Sequence, residues 1–337
     1  MPTTDVCQTP PDEAQRRRRA FQNDVLIGLG RSQKSIPSKY LYDRRGSELF
    51  DRICELDEYY PTRTELAIMR QHADEMARAV GPRAMLIEYG SGSSLKTRLL
   101  LDRLDDPAAY VPVDISKEHL LRAVEKLRRE YPRLRILPIC ADFTRRIELP
   151  DCPGPVRARI VYFPGSTIGN LTPDQAADLL RGVAALTQGG GLLIGVDLKK
   201  DPDLLRRAYN DSQGLTAAFN LNLLEHINRE LRADFPVDRF EHRAIYNPRF
   251  GRVEMHLVSR VAQTVALNGE TFSFRRGETI HTENSHKFSL AEFEQVARTA
   301  GLRVRKVWLD DRRLFSVQYL TAGDGSETGL PGHCGTP

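Results

Sequence analysis

The sequence has few cysteines, and their arrangement does not indicate a disulfide framework. There are five, an odd number, and no two of them form a Cys-x-x-Cys pair. This usage is typical of reduced thiols in the cytoplasm, and we expect a cytoplasmic protein. The eight histidines are scattered, with no pair at the spacing of metal ligands. We therefore predict no metal site.

Long hydrophobic runs are also absent. No apolar stretch reaches the roughly 18 residues of a membrane span. The first residues, Met1–Asp5, lack the apolar centre of a signal peptide. Charge is nearly balanced at a formal +4, and the one dense basic run is Arg16–Arg19, for which we predict a solvated helix face. We expect a monomer with a small-molecule substrate and with neither a membrane nor a nucleic acid as partner.

What the sequence does contain is a regular alternation of apolar runs and helical patterns from Met85 onward. Its 337 residues are enough for two domains, or for one domain with a large insertion. Such alternation predicts an α/β fold with a parallel sheet covered by helices on both faces. We predict strands at 85–90, 110–114, 135–140, 159–164 and 191–197, and helices at 95–104, 117–130 and 173–187.

The first of these strands ends in an acid and a glycine turn, Glu88-Tyr89-Gly90-Ser91-Gly92. Glycines allow a backbone to approach a ligand closely and to adopt torsions that a Cβ forbids. The third glycine of a dinucleotide motif is missing, because position 95 is Leu. Asp114 ends the next apolar run, where a carboxylate can bind ribose hydroxyls. The pattern favours S-adenosylmethionine (SAM) over a nicotinamide dinucleotide, and we expect Glu88 to face the ligand.

Two further features follow the third and fourth predicted strands. Asp142-Phe143 supplies an acid for an adenine amino group and an aromatic cover for the ring. Phe163–Asn170 is a loop punctuated by glycines, at the place where a substrate would meet the methyl donor. Ligands of parallel sheets bind beyond the carboxyl ends of the strands, so this series predicts one cofactor site.

The C-terminal part has a different pattern. Val253–Leu267 alternates apolar and polar positions, a helix is predicted at 290–300, and Val304–Leu320 is typical of an antiparallel hairpin. The segment of about 200–285 interrupts the expected last strands of the sheet. We expect it to form a second lobe together with an N-terminal segment. The predicted division is a disordered 1–14, lobe segments 15–75 and 200–285, core segments 76–199 and 286–321, and a disordered 322–337.

Three blocks carry a resemblance to a known family. They are Tyr42–Asp51, Glu58–Glu65 with its Tyr-Tyr-Pro-Thr-Arg-Thr-Glu sequence, and Gly165–Asn170. Together they resemble the histidine Nα-methyltransferases of ergothioneine biosynthesis, over about residues 20–320. The resemblance implies a Rossmann-like class I SAM-dependent methyltransferase core with a second, substrate-binding lobe. It also implies three methyl transfers to the α-amine of histidine, which give the betaine hercynine.

Position by position, the resemblance implies three groups of site residues. SAM would be held by Gly90, Lys96, Asp114, Asp142 and Phe143. The carboxylate and amine of the amino acid would be fixed by Tyr59, Asn170 and Tyr209, with Tyr42 nearby. The imidazole would be surrounded by Met255, Glu283 and Ser285.

Glu283 and Ser285 matter most for the choice of substrate. A carboxylate pairs with a charged imidazole or accepts from the N–H of a neutral one. A hydroxyl two residues later reaches the other ring nitrogen if the segment is extended. Without the resemblance, a polar loop explains this pair, and ordinary packing explains the three tyrosines. Tyrosine or tryptophan as substrate, and a regulatory module that binds SAM without turnover, are the remaining alternatives.

The chemistry requires the amine to lose a proton before each attack, because an α-amine is mostly protonated near neutrality. We expect the enzyme to select the neutral amine, with a tyrosine hydroxyl or water taking the proton. Tyr42 and Tyr59 are the candidates. Aromatic faces would also accommodate the quaternary cation that the reaction produces.

Overall fold

The structure is a computed structural model that describes residues 11–92 and 95–323. Ser93 and Ser94 of the glycine turn, and the predicted disordered ends at 1–10 and 324–337, lie outside these residues. The helices are α1 (Pro11–Leu29), α2 (Arg44–Ile53), α3 (Tyr60–Val80), α4 (Leu95–Leu101), α5 (Lys117–Glu130), α6 (Pro173–Thr187), α7 (Pro202–Ala208), α8 (Leu215–Leu231) and α9 (Leu290–Thr299). The strands are β1 (Lys34–Ser35), β2 (Ala84–Tyr89), β3 (Ala109–Asp114), β4 (Ile139–Cys140), β5 (Ala158–Phe163), β6 (Gly191–Asp197), β7 (Phe240–Asn247), β8 (Arg252–Ser259), β9 (Gln263–Leu267), β10 (Glu270–Phe274), β11 (Thr279–His286), β12 (Leu302–Leu309) and β13 (Phe315–Ala322).

A seven-stranded sheet forms the centre of the fold, in the order β12-β13-β6-β5-β2-β3-β4. Its strands β2 to β6 pair in parallel, whereas β13 is antiparallel to both β6 and β12. The chain leaves β2 toward β3 and β4 and then returns to the other side of β2 with β5. Such a reversal of strand order is the place where ligands bind in open α/β sheets. The predicted α/β, Rossmann-like fold is confirmed.

The central strands are buried on both faces, which explains their continuous apolar runs. Every residue of β2 and of β6 is buried. Helices α6 and α9 cover one face, through residues such as Leu180 and Phe293, and α3, α4 and α5 cover the other. Burial on both faces is the rule for parallel strands. This rigid sheet carries the loops that follow its strands.

A second layer is built on a four-stranded sheet, in the order β1-β11-β8-β7. A hydrophobic cluster joins it to α8, α2 and the N-terminal helix, through residues that include Phe21, Leu49, Phe219 and Leu257. The strands alternate buried and exposed positions where one face meets solvent, as in β7. Residues from the N-terminal segment and from the insertion after β6 thus share one core.

The boundary between this cluster and the central sheet falls near Tyr60 and not near residue 75. Helix α3 begins at Tyr60 and packs Ile68, Met69 and Met76 into the cluster on the central sheet. The lobe segment predicted as 15–75 is therefore one helix too long. In addition, α1 begins at Pro11, inside the segment predicted as disordered.

Individual elements agree with the sequence patterns to different degrees. The predicted helices 117–130 and 173–187 have the observed bounds of α5 and α6. The predicted strand 135–140 is reduced to Ile139–Cys140 and an isolated bridge between Tyr110 and Ile136.

The arginine run is not simply a solvated face, since Arg17 donates to the carbonyl of Cys140 at 2.9 Å and Arg18 to that of Glu230 at 2.9 Å. Within the described ranges, none of the helices has the length and apolar character to cross a membrane.

Candidate active site

The glycine turn after β2 leaves open space at the carboxyl edge of the sheet. Gly90 has φ +70° and Gly92 has φ +44°, a region that favours glycine. A Cβ built on Gly90 would meet nothing within 4 Å. The turn is tied to the neighbouring strand because Gly90 N–H donates to the carbonyl of Val113 at 2.8 Å. This is the geometry of a cradle in which backbone atoms approach a ligand.

Asp114 stands at the end of β3, beside this turn. One of its carboxylate oxygens accepts from the N–H of Ser116 at 2.8 Å, and the other lies 3.5 Å from the N–H of Gly92. Burial raises the pKa of this carboxyl, and the two backbone donors oppose the shift. Carboxylate oxygens in this position can accept the hydroxyls of a ribose.

Asp142 and Phe143 follow β4 and lie at the same edge. Asp142 accepts from the N–H of Thr144 at 3.0 Å, and its other oxygen is 3.5 Å from the ammonium of Lys39. The ring of Phe143 stacks on Tyr89 with centroids 5.5 Å apart and packs edge-on against Phe163. An aromatic wall and an acid therefore stand side by side at this edge of the sheet.

Glu88 does not face the cradle, and the expectation that it contacts the ligand is wrong. It is 1% exposed and accepts from the hydroxyls of Thr97, at 2.7 Å, and Tyr110. Burial raises its pKa to about 8. The acid before the glycine turn therefore anchors α4 against β2 and β3, underneath the site.

Lys96 pairs with another buried carboxylate. Its ammonium is 2.5 Å from Glu65, a fully buried residue of α3. Glu65 also accepts from the N–H of Gly165 at 2.9 Å, and Gly195 leaves room for its side chain. Lys96 thus lies between the glycine turn and the loop after β5.

The loop after β5 joins the cradle to the second layer. Ser166 adopts φ +56° and its hydroxyl accepts from the N–H of Asp197 at 2.9 Å. A Cβ on Gly169 would come within 2.8 Å of the carbonyl of His286, so only glycine fits there. The side chain of the next residue, Asn170, lies beside Tyr42 and lowers the pKa of its hydroxyl, against the larger effect of burial.

Three tyrosines surround the space beside Asn170. Tyr42 follows a 3-10 turn at Ser38–Leu41, Tyr59 caps the start of α3, and Tyr209 ends α7. The rings of Tyr59 and Tyr209 are 6.0 Å apart in an edge-on arrangement. Burial raises the pKa of Tyr42 and of Tyr59 well above the ordinary value, so both are neutral phenols.

Glu283 and Ser285 project from the same face of β11, as the extended segment requires. A bulge between His281 and Glu283 shifts the register, and Met255 of β8 lies opposite Glu283. Glu283 is 8% exposed, and its Oε2 has no hydrogen-bond partner within the described part of the chain. Burial raises the pKa of Glu283 to about 8, although the charge of Lys287 acts in the opposite direction. An unpartnered buried carboxyl is available to a ligand.

A buried ionic network, which was not predicted from the sequence, lies behind these residues. Lys287, 2% exposed, contacts Asp197 at 2.8 Å, the hydroxyl of Tyr209 at 3.0 Å and that of Ser285 at 2.7 Å. Asp197 also binds Lys200 and the hydroxyl of Tyr60. Burial alone would raise the pKa of Asp197, but its two lysines lower it. Two signals were available: Asp197 ends an apolar strand, and Lys287 continues the i, i+2 series of Glu283 and Ser285.

The predicted residues therefore form two groups linked by the loop after β5. The cradle group contains Gly90, Lys96, Asp114, Asp142 and Phe143, and the pocket group contains Tyr42, Tyr59, Asn170, Tyr209, Met255, Glu283 and Ser285. The pocket group is compact: the rings of Tyr42 and Tyr59 both pack on Phe50, and Tyr59 packs on Tyr209, whose hydroxyl is 2.7 Å from Ser285. An open cradle beside a tyrosine-lined, acid-containing pocket is suited to transfer of a group between two small molecules.

Comparison with known proteins identifies the family. A family model described as "Histidine-specific methyltransferase, SAM-dependent" matches residues 21–322. A histidine N-alpha-methyltransferase of Mycolicibacterium smegmatis is 44% identical over 306 residues, which cover 88% of this chain and 94% of that protein. Its counterpart from Mycobacterium tuberculosis is 42% identical, over 88% of this chain and 94% of that protein. Ergothioneine biosynthesis protein 1 of Neurospora crassa is 31% identical over 82% of this chain, but only 32% of that longer protein is covered. The chain belongs to the SAM-dependent, histidine-specific methyltransferase family.

Proposed function

We propose that this chain transfers three methyl groups from SAM to the α-amine of L-histidine, which gives hercynine in the first step of ergothioneine biosynthesis. The family assignment and the names of its bacterial and fungal relatives support this activity. The observation that carries the choice of histidine is the buried, unpartnered carboxyl of Glu283, which shares a face of β11 with Ser285. An indole or a phenol offers no pair of ring nitrogens to these two side chains.

SAM fits the cradle group. The glycine turn has free space where a Cβ is missing, Asp114 offers carboxylate oxygens to a ribose, and Phe143 offers a face to an adenine. Asp142 would accept from the adenine amino group. When bound, SAM supplies a methyl group on a sulfonium, which is an electrophile. Lys96 stands at this edge, but its ammonium is engaged by Glu65.

The protein's task is alignment. Methyl transfer is an in-line displacement, and holding the two reactants in line can contribute several kcal/mol to the rate. Asn170, which lies on the loop linking the two groups, would hold the amino acid together with Tyr59 and Tyr209. Met255, Glu283 and Ser285 would surround the ring at the other end of the substrate.

Tyr42 and Tyr59 would orient the amine but would not accept its proton as a base. Their raised pKa values keep them as neutral phenols, which makes phenolate an unavailable base. A phenol oxygen still accepts an N–H and turns the lone pair of a neutral amine toward the donor. The proton would therefore leave through water. As methyl groups accumulate, the aromatic faces would stabilise the developing cation.

The test is incubation with SAM and each of the twenty amino acids, with products identified by mass. We expect histidine alone to gain up to three methyl groups. Methylation of a different amino acid, or no methylation of any, would contradict the proposal. We also expect a monomeric cytoplasmic enzyme that needs neither a membrane nor a nucleic acid, which gel filtration and activity of the purified protein would test.

A further inference from the structure

Lys287 uses all of its hydrogen-bonding capacity inside the protein. An ammonium has three N–H donors, and here they point to Asp197, Tyr209 and Ser285, at 2.8, 3.0 and 2.7 Å. The side chain is 1% exposed, as is that of Asp197. The lysine therefore connects the end of β6 in the central sheet to two hydroxyls of the substrate pocket.

These contacts restrict the hydroxyl protons of Tyr209 and Ser285. Both oxygens accept from Lys287, and they also contact each other at 2.7 Å. One hydroxyl must donate to the other in that contact, which consumes one of their two protons. The pair is left with a single proton to offer to a ligand.

The proposed substrate decides where this proton lies. A carboxylate held by Tyr209 accepts hydrogen bonds and donates none, so it draws the free proton to Tyr209. Ser285 must then donate to Tyr209. Its remaining lone pair faces the pocket, and it can only accept an N–H from the ring.

We propose that Lys287 is a positioning residue that makes Ser285 a pure acceptor toward the ring, so that the pocket binds the imidazole as one neutral tautomer. This inference rests on the proposed function and deepens it, because it assigns a form of the substrate and a residue that selects it. The ring's N–H faces Ser285, and its bare nitrogen faces Glu283.

Glu283 suits the complementary role of donor. It is buried opposite Met255, its Oε2 has no hydrogen-bond partner among the described residues, and the cation acting on it is Lys287, whose three donors are already used. Burial raises the pKa of Glu283 to about 8, so near neutral pH the carboxyl holds a proton that it can donate to the ring. A free imidazole is mostly neutral above pH ~6.5. The two partners thus meet in their predominant forms between pH ~6.5 and 8.

The chain provides a matched control in Lys200. This lysine also pairs with Asp197, but its other partner is the hydroxyl of Tyr60, and it contacts neither Tyr209 nor Ser285. When either lysine is replaced, Asp197 keeps the other as its cation. Neither variant therefore leaves the buried carboxylate without a positive partner. Only Lys287→Met removes the donors that restrict the two hydroxyls.

The experiment is 15N NMR of ring-labelled histidine bound to the full chain with S-adenosylhomocysteine, recorded at pH 7. We expect one protonated and one unprotonated ring nitrogen in wild type, and the same spectrum in Lys200→Met. In Lys287→Met we expect averaging of both tautomers, a Kd for histidine at least tenfold higher and a Kd for SAM within about threefold of wild type.

Two outcomes overturn the inference: a bound ring protonated on both nitrogens or averaged between tautomers in wild type, or a Lys287→Met variant that retains the wild-type spectrum and Kd. The wild-type spectrum alone tests whether the bound ring is one neutral tautomer, even if Lys287→Met fails to fold. An enzyme that methylates histidine but binds a charged ring refutes only this inference. An enzyme that neither binds nor methylates histidine refutes the proposed function instead.

Discussion

Glu65, which is fully buried, and Lys96, which is partly buried, form an ion pair, 2.5 Å between Oε2 and Nζ, that is shared by the two loops flanking the cradle. Lys96 opens α4 after the glycine turn, while the same carboxylate accepts from the N–H of Gly165 after β5. The resemblance assigned Lys96 to the cofactor. In the structure the ammonium of Lys96 pairs with the carboxylate of Glu65, which also binds the loop after β5. A Lys96 variant with altered SAM affinity could therefore act through the position of this loop as well as through a direct contact.

Lys96→Met should destabilise the protein. Removal of the lysine leaves the fully buried carboxylate of Glu65 without its cation, which costs about 3 kcal/mol. Urea unfolding measures this loss. The double variant Glu65→Gln/Lys96→Met should recover most of it, because no buried charge remains. A Lys96→Met protein as stable as wild type would contradict the importance of the pair. Weak SAM binding in the stable double variant would show a direct contact of Lys96 with the cofactor.

Asp114→Asn should weaken SAM binding with little effect on stability. The amide keeps one oxygen for the N–H of Ser116 but loses the charged acceptor for ribose hydroxyls. Hydrogen bonds to charged groups contribute about 1.5–3 kcal/mol, so we expect Kd to rise roughly tenfold to a hundredfold. Isothermal titration with SAM measures the change. Unaltered SAM affinity would exclude Asp114 from the cofactor site.

Glu283→Ala should lose selectivity for histidine and keep SAM affinity. The ring loses its buried partner, and kcat/KM for histidine should fall by about one to two orders of magnitude. Competition among amino acids, read by mass, measures selectivity, and calorimetry measures binding. Unchanged histidine affinity in this variant would defeat the assignment of Glu283 to the imidazole.

Glu283→Gln is the matched control for that change, since an amide keeps a donor at the same place. The probe is 3-(imidazol-4-yl)propionate, which has no amine to titrate. Its affinity for wild type should fall above pH 8 as Glu283 ionises, because the raised pKa of about 8 marks the loss of the donor proton. Glu283→Gln should show no such fall. The same alkaline decrease in both proteins would contradict a donor role.

Replacement of both Tyr42 and Tyr59 by Phe should lower kcat about tenfold or more, while SAM affinity stays within about threefold. The phenol oxygens that orient the amine are lost, but the aromatic faces remain. Because both pKa values lie well above the ordinary value, the single variants should keep the wild-type pH–rate profile. An unchanged rate in the double variant would refute the orienting role, and a shifted pH–rate profile in either single variant would contradict the neutral phenols.

Glu88→Gln should make stability less dependent on pH. Glu88 has a folded-state pKa raised to about 8, so the folded protein holds a proton that the unfolded chain releases above about 4.5. Stability therefore falls as pH rises through this window, by about 1.4 kcal/mol per pH unit for one such carboxyl. Urea unfolding from pH 5 to 8 should give a shallower slope for the variant. An equal slope would contradict a protonated Glu88.

Local patterns predicted the elements whose signals lie within one segment. The helix α6 has a capping box at Thr172 and Gln175 and an apolar stripe, and its bounds were predicted correctly. The same holds for β6, an uninterrupted apolar run. The acids at strand ends, Asp114 and Asp142, were located because parallel strands bring their carboxyl ends to one edge.

The errors concern side chains whose partners are distant in sequence. Glu88 was assigned to the ligand because its partner Tyr110, 22 residues later, could not be identified from a pattern. Helix α3 was predicted to belong to the second lobe, but it packs on the central sheet. An amphipathic pattern shows which face of a helix is buried and not which of two cores buries it. The Lys287–Asp197 pair spans 90 positions, so the local pattern at each end could mark a candidate residue but could not identify its partner.

The contact of Gly169 with the carbonyl of His286 sets a limit on how the molecule can adjust. The Gly169 backbone lies directly against the His286 peptide, and Nδ1 of His286 is 3.0 Å from the Gly169 carbonyl oxygen, so backbone packing and this one contact hold the loop after β5 at a fixed distance from β11. In the proposed reaction the amine becomes bulkier with each methyl group, and a fixed distance between these two elements would leave the substrate, rather than the protein, to adjust between transfers.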